Sequence, residues 1–340
     1  MKKLFTITVL LITLAITFTI CGCGSENNGP KKVSMTFANS SSSWQKNGNN
    51  MKEELEKEGF SVDLQFADTD QQQIEQIKAM IEAKPSCIVI GAVNSENLTD
   101  VLKEAKENNI PVIAYDRLIM NTDAVSYYAS FDNEAVGSAM AEYLVATLDL
   151  KNGAGPFNIE VFAGDPGDNN AHMFFSGSMK ILQPYIDKGQ LVCRSNQLTF
   201  EQAAVKNWDK ANAQSRMDKL LATYYADGST LAAVLSPNDG CADGIRNSLK
   251  ANYTGAWPII TGQDADSTAI EAIKNGTQAF TIYKSPADLN TKCIRMIKAV
   301  VEGVQPAIND KSSYNNGVMV VPSYLCIPLI IDKDNINAVK

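Results

Sequence analysis

Histidine is the scarcest residue of this sequence, with a single copy at His172. A Ser-His-Asp or Cys-His arrangement would have to use that one residue, and a metal site built on several histidines is excluded by counting. His172 lies in the apolar segment 171–175, so we expect a packed or surface histidine. Paired carboxylates for glycoside hydrolysis are compatible with 38 acidic residues, but no pair stands out. We therefore expect no catalytic residues and no metal.

Other signatures are also missing. Five cysteines lie beyond residue 32, an odd number with no CxxC spacing, which indicates neither a disulfide framework nor a zinc site. We expect all five to be small buried side chains. The glycine-rich motifs that cradle nucleotides are absent, so no cofactor is predicted. Net charge is −8 without a cluster of Lys and Arg, which argues against nucleic acid as a partner.

The N-terminus has the pattern of a targeting segment. Lys2 and Lys3 precede the uncharged, mostly apolar stretch 4–20, and Ile20-Cys21-Gly22-Cys23 resembles a bacterial lipobox. We expect 1–22 to be a lipoprotein signal peptide, Cys23 to carry the lipid, and 23–32 to be a flexible tether. The chain would then be exported and anchored at the outer face of the cell membrane. A plain signal peptide and an uncleaved anchor are the alternatives.

Behind the tether, strand and helix patterns alternate in two series. The length of 340 residues, 45% of them apolar, is enough for two domains. Near-continuous apolar strands joined by amphipathic helices predict α/β domains with parallel, doubly wound sheets. The predicted strands are 33–38, 62–67, 87–91 and 111–115 in the first series, and 157–163, 190–194, 231–236, 258–262 and 279–283 in the second. Helices are predicted at 46–58, 71–83, 96–108, 213–225, 241–252 and 287–302.

Five of these strands run into hydrogen-bonding side chains. Since ligands of open parallel sheets bind outside the carboxyl ends of the strands, these side chains predict one polar site. The set consists of Asp116, Arg117, Asn170, Asn238, Asp264 and Lys284. Each has a simpler explanation: an Asp116–Arg117 ion pair, helix caps at Asn169-Asn170, Asn238-Asp239 and Asp264-Ala265-Asp266, and a solvated Lys284.

The chemistry of this set suits a sugar. Planar carboxylate, amide and guanidinium groups can each engage a hydroxyl, which both donates and accepts. Aromatic rings cover the apolar faces of a pyranose, and Trp44 and Trp208 are the candidates for this role. Trp257 directly precedes a strand and is expected in the core.

At these residues the chain resembles the type I periplasmic sugar-binding proteins of ABC transporters. It is most similar to the xylose-binding and multiple-monosaccharide (ChvE-type) receptors. The matching segments are AYDRLI (114–119), SFDNEAVG (130–137), DNNA (168–171), MKILQPYIDKG (179–189), SPNDG (236–240), GQDAD (262–266), TIYK (281–284) and GVMVVPSYL (317–325).

The resemblance implies two Rossmann-like lobes with a three-crossing hinge that close on one monosaccharide. The N-terminal lobe would be 33–129 plus 285–318, and the C-terminal lobe 130–284 plus 319–340. Crossings are expected near 129–130, 283–284 and 318–323. The implied ligand contacts are Trp44, Asp116 and Arg117 from one lobe, Asn170, Trp208, Asn238 and Asp264 from the other, and Lys284 at a hinge.

Relatives carry Arg where this chain has Ser43, and this departure leaves the sugar open among the xylose, glucose, galactose and arabinose classes. The implied function is delivery of an aldose to the membrane subunits of an ABC permease, by a monomer. One alternative is a receptor that presents a sugar-like signal to a sensor or chemoreceptor, and a less favoured one is an exported sugar-active enzyme. Repressors of the lactose type share the fold, but a signal peptide stands here in place of their DNA-binding segment.

Overall fold

The computed structural model describes residues 30–38 and 42–339, without the side chains of Ser42 and Ser43. The predicted signal peptide, the predicted lipidation site Cys23 and most of the tether lie outside the described residues, as does the side chain of Ser43. Lys31–Lys340 form one compact unit. Within the described part of the chain, no helix is long and apolar enough to cross a membrane.

The first half of this unit is built on a six-stranded sheet in which all pairings are parallel. Its strands are β1 (Lys32–Ala38), β2 (Ser61–Ala67), β3 (Cys87–Gly91), β4 (Val112–Tyr115), β5 (Val125–Phe131) and β11 (Ser323–Cys326), in the order β11-β5-β4-β3-β1-β2. All five residues of β3 are buried, as expected for an apolar strand that is covered on both faces.

Helices cover both faces of this sheet. They are α1 (Ser42–Lys57), α2 (Asp70–Glu82), α3 (Thr99–Glu107) and α10 (Pro286–Val301). Met51 and Leu55 of α1 pack with Ile297 of α10 on one face, while Ile77 of α2 and Leu102 of α3 belong to the core on the other. The 3.6-residue spacing of these apolar side chains is what directs one stripe of each helix to the sheet.

The second half is built on a four-stranded parallel sheet in the order β7-β6-β8-β9. Its strands are β6 (Phe157–Val161), β7 (Leu191–Cys193), β8 (Ala233–Leu235) and β9 (Ile259–Ile260). Its helices are α4 (Asn133–Thr147), α5 (Asn169–Asp187), α6 (Phe200–Ala203), α7 (Lys210–Tyr224), α8 (Asp239–Asn252) and α9 (Ser267–Lys274). The expected class, two parallel α/β sheets, is confirmed.

One predicted strand pairs differently from the expectation. The predicted fifth strand of the second series, observed as β10 (Thr281–Tyr283), forms an antiparallel pair with β12 (Leu329–Ile331). An isolated bridge from Gln263 to Ile282 connects β10 to the sheet edge beside β9, and just before β10 the Ala279 amide donates to Ile260 O of β9 at 3.0 Å. Local patterning predicts that a segment is extended, but its partner is chosen by tertiary packing, here by the returning C-terminal segment.

The expected lobe boundaries also differ from the strand pairing. A boundary at 129–130 would cut β5, which stays in the first sheet as far as Phe131. The expectation puts residues 319–340 in the second lobe, but β11 pairs with β5 and covers what would otherwise be an exposed sheet edge. That the two halves act as separately moving lobes stays a prediction.

Candidate functional site

A cavity of about 350 Å³ lies at the carboxyl ends of strands from both sheets. Its walls include Tyr115 and Phe131 from the first half and Phe174 from the second. The eight side chains predicted to bind the ligand all line it: Trp44, Asp116, Arg117, Asn170, Trp208, Asn238, Asp264 and Lys284. Parallel strands bring these distant segments together because their carboxyl ends share one edge. Their role in binding stays a prediction.

Asp116 stands directly after β4 in a left-handed conformation, with φ of 64°. Its carbonyl oxygen accepts hydrogen bonds from Tyr128 Oη and Ser130 Oγ, both at 2.7 Å, and from Asn170 Nδ2 at 2.9 Å. Its amide donates to Ala129 O at 2.8 Å. A non-glycine residue in this region costs about 1–3 kcal/mol, and surrounding bonds of this kind offset the cost. The loop therefore holds its carboxylate at the cavity wall.

The environment of the Asp116 carboxylate disfavours its charge. Burial raises its pKa above the ordinary value, and the nearby carboxylates of Asp168 and Asp264 act in the same direction. The cationic groups of Lys284 and Arg117 oppose this rise. A ligand hydroxyl that donates to the carboxylate would stabilise its charged form.

Arg117 is paired, but not with Asp116. Its Nε lies 2.9 Å from Oδ2 of Asp168, and its Nη1 donates to the carbonyls of Ala92 at 3.0 Å and Val93 at 3.1 Å. The guanidinium carbon stands 5.7 Å from the ring centre of Trp44. The ion pair joins the loop after β4 to the start of α5, so it links the two halves of the molecule beside the cavity.

Asn170 does not cap α5. Asp168 is the N-cap, and its carboxylate accepts from the Asn170 amide at 3.0 Å. The Asn170 side chain is therefore available to reach the first half, where its Nδ2 donates to the Asp116 carbonyl and its Oδ1 accepts from Tyr128 Oη at 3.3 Å. The simpler explanation proposed for Asn170 is wrong, because the preceding aspartate performs the capping.

Asn238 does cap a helix. Its Oδ1 accepts from the amide of Cys241 at 2.9 Å at the start of α8. Capping uses only the acceptor end of the amide, and within the described residues its Nδ2 donates to no protein group. The simpler explanation and the ligand-binding role are therefore compatible for this side chain.

Asp264 and Lys284 form an ion pair at the cavity, with Nζ 3.1 Å from Oδ1. Burial by itself lowers the pKa of Lys284, but the carboxylates of Asp264, Asp116 and Asp168 together raise it above the ordinary value. The lysine side chain, 14% exposed, is thus a partly buried, paired cation and not the solvated residue of the simpler explanation. Asp264 has φ of 99° and is held by its amide, which donates to Ile282 O at 2.8 Å.

The two predicted stacking residues come from opposite halves. Trp44, in the first turn of α1, contacts Phe37 at 5.7 Å and Tyr115 at 6.2 Å between ring centres. Trp208 follows β6 and α6 in the chain, has φ of 54°, and meets Phe174 edge to face at 6.4 Å. Trp257 packs at the core beside α8 and its Nε1 donates to Thr277 O at 2.9 Å, as expected of a structural residue.

Sequence reasoning missed several residues of the cavity wall. Asp168 lies in a matching segment without a predicted role, although its place before the predicted Asn170 is a usable signal. Asn47 follows Trp44 by three residues and shares its helix face. Gln263 is buried, and its Oε1 has no hydrogen-bond partner within the described chain, so it offers an acceptor at the wall. Only the folded chain reveals that orientation.

The single histidine and the cysteines of the described chain are not among the residues that line the cavity. His172 stacks on Phe200 with ring centres 3.8 Å apart, and its Nε2 lies 3.0 Å from Pro166 O. The five cysteines of the described chain are free and buried, as expected: Cys87, Cys193, Cys241, Cys293 and Cys326. The cavity wall instead combines carboxylates, amides, two cations and indoles, which can bind a polar ring-shaped solute through hydrogen bonds and stacking.

Two parallel α/β sheets that share a polar, aromatic-walled cavity at their strand ends define a small-solute-binding protein. The chain belongs to the periplasmic binding protein family, whose domain matches residues 33–305. This membership makes it a binding protein and not an enzyme, in agreement with the sequence expectation.

Characterised relatives extend over nearly the whole chain. The multiple sugar-binding periplasmic receptor ChvE of Rhizobium radiobacter is 41% identical, covering 100% of this chain and 96% of its own length. The D-xylose-binding periplasmic protein of Escherichia coli is 34% identical over 86% of this chain and 84% of its own. A Clostridium phytofermentans ABC-transporter solute-binding protein, solved with β-D-glucose, is 44% identical with a TM-score of 0.88, covering 91% and 96%.

Proposed function

We propose that this protein binds one neutral aldose in its pyranose form and delivers it to an ABC permease. The observation that carries the proposal is the convergence of six strand-end polar side chains and two indoles on one cavity of about 350 Å³. Its volume lies within the range of small-molecule sites, about 300–1,000 Å³.

The charges of the cavity favour a ligand without charge of its own. Asp116, Asp168, Asp264 and Asp266 line the cavity together with Arg117 and Lys284, and both cations already have carboxylate partners. A sugar hydroxyl can donate to the carboxylates and accept from the amide of Asn238. Hydrogen bonds to charged groups contribute about 1.5–3 kcal/mol each. A few of them, less the cost of ordering, are enough for micromolar affinity, about −8 kcal/mol.

The choice of sugar follows from the relatives. One is solved with β-D-glucose and another is named for D-xylose. These two pyranoses differ only in the hydroxymethyl group of glucose, so the same arrangement of equatorial hydroxyls would serve both. We infer that D-glucose and D-xylose are the first ligands to test.

Export and anchoring belong to the same proposal. The N-terminal pattern supports secretion, and a diacyl-type lipid on Cys23 would hold the protein beside its permease, since stable anchoring needs more than one acyl chain. A sensory role is the second candidate, favoured by the description of one 41% identical relative as a receptor. Both roles require the same sugar site.

A thermal-shift screen of the purified protein tests the proposal. The sugars are D-xylose, D-glucose, D-galactose, L-arabinose, D-ribose and L-fucose, with Asp264→Ala as the negative control. A ligand at a hundredfold excess over its Kd stabilises the native state by about 2.7 kcal/mol. We expect glucose and xylose to raise Tm in the wild type but not in the variant. A Tm that none of the six sugars changes would contradict the proposal.

A further inference from the structure

We propose that Gly164 and Gly91 set the width of the slot between the two cavity indoles and thereby select sugars by the thickness of their rings. Neither glycine lines the cavity, but each lies against an indole that does, Gly164 against Trp208 and Gly91 against Trp44. This inference rests on the proposed monosaccharide site, and it assigns specificity to two residues that touch no ligand. They are positioning residues.

Gly164 supports the indole of Trp208 at a distance that no other residue type allows. A Cβ on Gly164 would lie 2.0 Å from Cη2, 2.3 Å from Cζ3 and 2.4 Å from Cζ2 of that ring. The six-membered ring therefore rests on the glycine backbone itself. Gly164 is not among the residues with positive φ. Its backbone would accept any side chain, so the ring alone requires the glycine.

The indole has little freedom to retreat in another direction. The backbone before it is fixed by the amide of Asn207, which donates to Asp165 Oδ2, and by the Trp208 amide, which donates to Val205 O at 3.2 Å. The Val205 amide in turn donates to the carbonyls of Ala163 and Gly164. A methyl group on Gly164 would thus push the ring into the cavity rather than move the loop.

Gly91 has the equivalent place in the first half, as the last residue of β3. A Cβ there would lie 2.8 Å from Cζ3 and 3.1 Å from Cη2 of Trp44, and 3.2 Å from Cδ1 of Phe37. The overlap is smaller than at Gly164 and is shared between two rings. A substitution at Gly91 should therefore narrow the slot less than the same substitution at Gly164.

Ring position translates into selectivity because sugars differ in thickness. Carbon atoms pack at about 3.5 Å or more, so a Cβ that starts 2.0 Å from Cη2 forces the indole to move by about 1.5 Å. β-D-Glucopyranose has only equatorial substituents, whereas galactose carries an axial hydroxyl that projects from one face of the ring. A narrower slot should discriminate against the axial group first.

Titration calorimetry with D-glucose and D-galactose tests the inference on the wild type, Gly164→Ala and Gly91→Ala. Gly164→Ala should weaken glucose binding about tenfold or more, because overpacking of this kind is costly, and Gly91→Ala should have a smaller effect. Both variants should raise the ratio of galactose to glucose Kd. Gly59→Ala is the control, because Gly59 does not line the cavity and its Cβ would meet nothing within 4 Å, so both Kd values should stay unchanged.

A double-mutant cycle distinguishes displacement of the Trp208 indole from a change in the loop that carries it. Trp208→Phe removes the outer part of the indole, so adding Gly164→Ala to it should cost far less affinity than in the wild type. Near-wild-type glucose binding by Gly164→Ala, or an equal loss in the wild-type and Trp208→Phe backgrounds, would overturn the inference. If Gly164→Ala does not fold, Gly91→Ala and the double variant carry the test. A wild type that binds no monosaccharide would overturn the proposed function instead.

Discussion

At the scale of single residues, the cavity accepts unfavourable features that a stable core would avoid. Asp116 and Asp264 both adopt positive φ, and the carboxylates of Asp264 and Asp168 stand close enough to Asp116 to disfavour its ionisation. Such strain is costly in the empty protein and is offset where the surroundings over-determine the loop. The arrangement is typical of a site that trades stability for binding.

The Asp116→Asn variant should show that the site loses stability in order to bind its ligand. Burial raises the pKa of Asp116, so between its ordinary and its raised value the folded state binds more protons than the unfolded state. The unfolding free energy of the wild type therefore falls as pH rises through that window. Asparagine removes the cost of ionising a buried carboxyl group, and its Oδ1 can still accept a hydrogen bond from Asn170 Nδ2. The sugar-free variant should therefore be more stable than the wild type at neutral pH.

Urea unfolding of both proteins from about pH 4 upward measures the effect, since the ordinary carboxyl pKa is about 3.9. Sugar affinity should fall about ten- to a hundredfold, the value of a charged hydrogen bond. Asp123→Asn is a control of opposite sign, because the Lys106 ammonium holds the pKa of Asp123 below its usual range. An Asp116→Asn variant that is less stable than the wild type at neutral pH would contradict the interpretation.

At the scale of elements, helix starts explain why several site residues are where they are. Asp168 begins α5 and Asn238 begins α8, and each satisfies an amide of the first turn while facing the cavity. The βα loops of parallel sheets put helix N-termini at the ligand edge. Capping and binding therefore share side chains, and a substitution must be designed to separate the two.

Asn238 allows that separation. Serine caps helices about as well as asparagine, whereas alanine forfeits about 1 kcal/mol. Asn238→Ser should keep the unfolding free energy within a few tenths of a kcal/mol and still weaken sugar binding, because it lacks the Nδ2 donor. Asn238→Ala should lose both stability and affinity. Urea unfolding and titration calorimetry distinguish these outcomes. Unchanged affinity in the serine variant would show that Asn238 Nδ2 does not bind the sugar.

The secondary-structure elements also show which parts of the fold can be predicted from the sequence. Buried runs such as Cys87–Gly91 predict strands well, because their whole length is apolar, as expected of a central strand that pairs on both sides, here with β1 and β4. β5 escapes prediction, since its sequence VSYYASF mixes polar and aromatic residues, and its burial depends on β11 from the distant C-terminus. Strand-end side chains are predicted to converge, and they do. Their partners are not predicted, because the Arg117–Asp168 pair joins segments about fifty residues apart that only the fold brings together.

At the scale of the whole molecule, the contacts beside the cavity join the two halves. The ion pair from Arg117 to Asp168 is nearly buried, and the Ser95 amide donates to Gly167 O at 2.9 Å across the same junction. A ligand that contacts both halves would stabilise the arrangement in which these bonds form. If the halves move as lobes, we expect the Arg117–Asp168 ion pair to determine the fraction of the sugar-free protein that is closed.

Asp168→Asn tests this role without removing a helix cap, because asparagine is an equally good N-cap for α5. The nearly buried Arg117 guanidinium then loses its charged partner, so the closed arrangement becomes less favourable in the sugar-free protein. Small-angle X-ray scattering should give a larger radius of gyration for the sugar-free variant than for the wild type, and the same value at saturating sugar. Apparent affinity should fall in proportion to the lost closed fraction.

The exposed ion pair of Lys106 and Asp123 provides the matched comparison. Asp123→Asn also removes one aspartate charge from an ion pair, but both partners lie within the first half and are more than half exposed. It should change neither the radius of gyration nor the affinity, since solvent screens an exposed ion pair and leaves it little energetic effect. Equal scattering curves for Asp168→Asn and the wild type, with and without sugar, would show that the Arg117–Asp168 pair does not govern closure. The affinity of the variant would then report only a local effect on the Arg117 side chain.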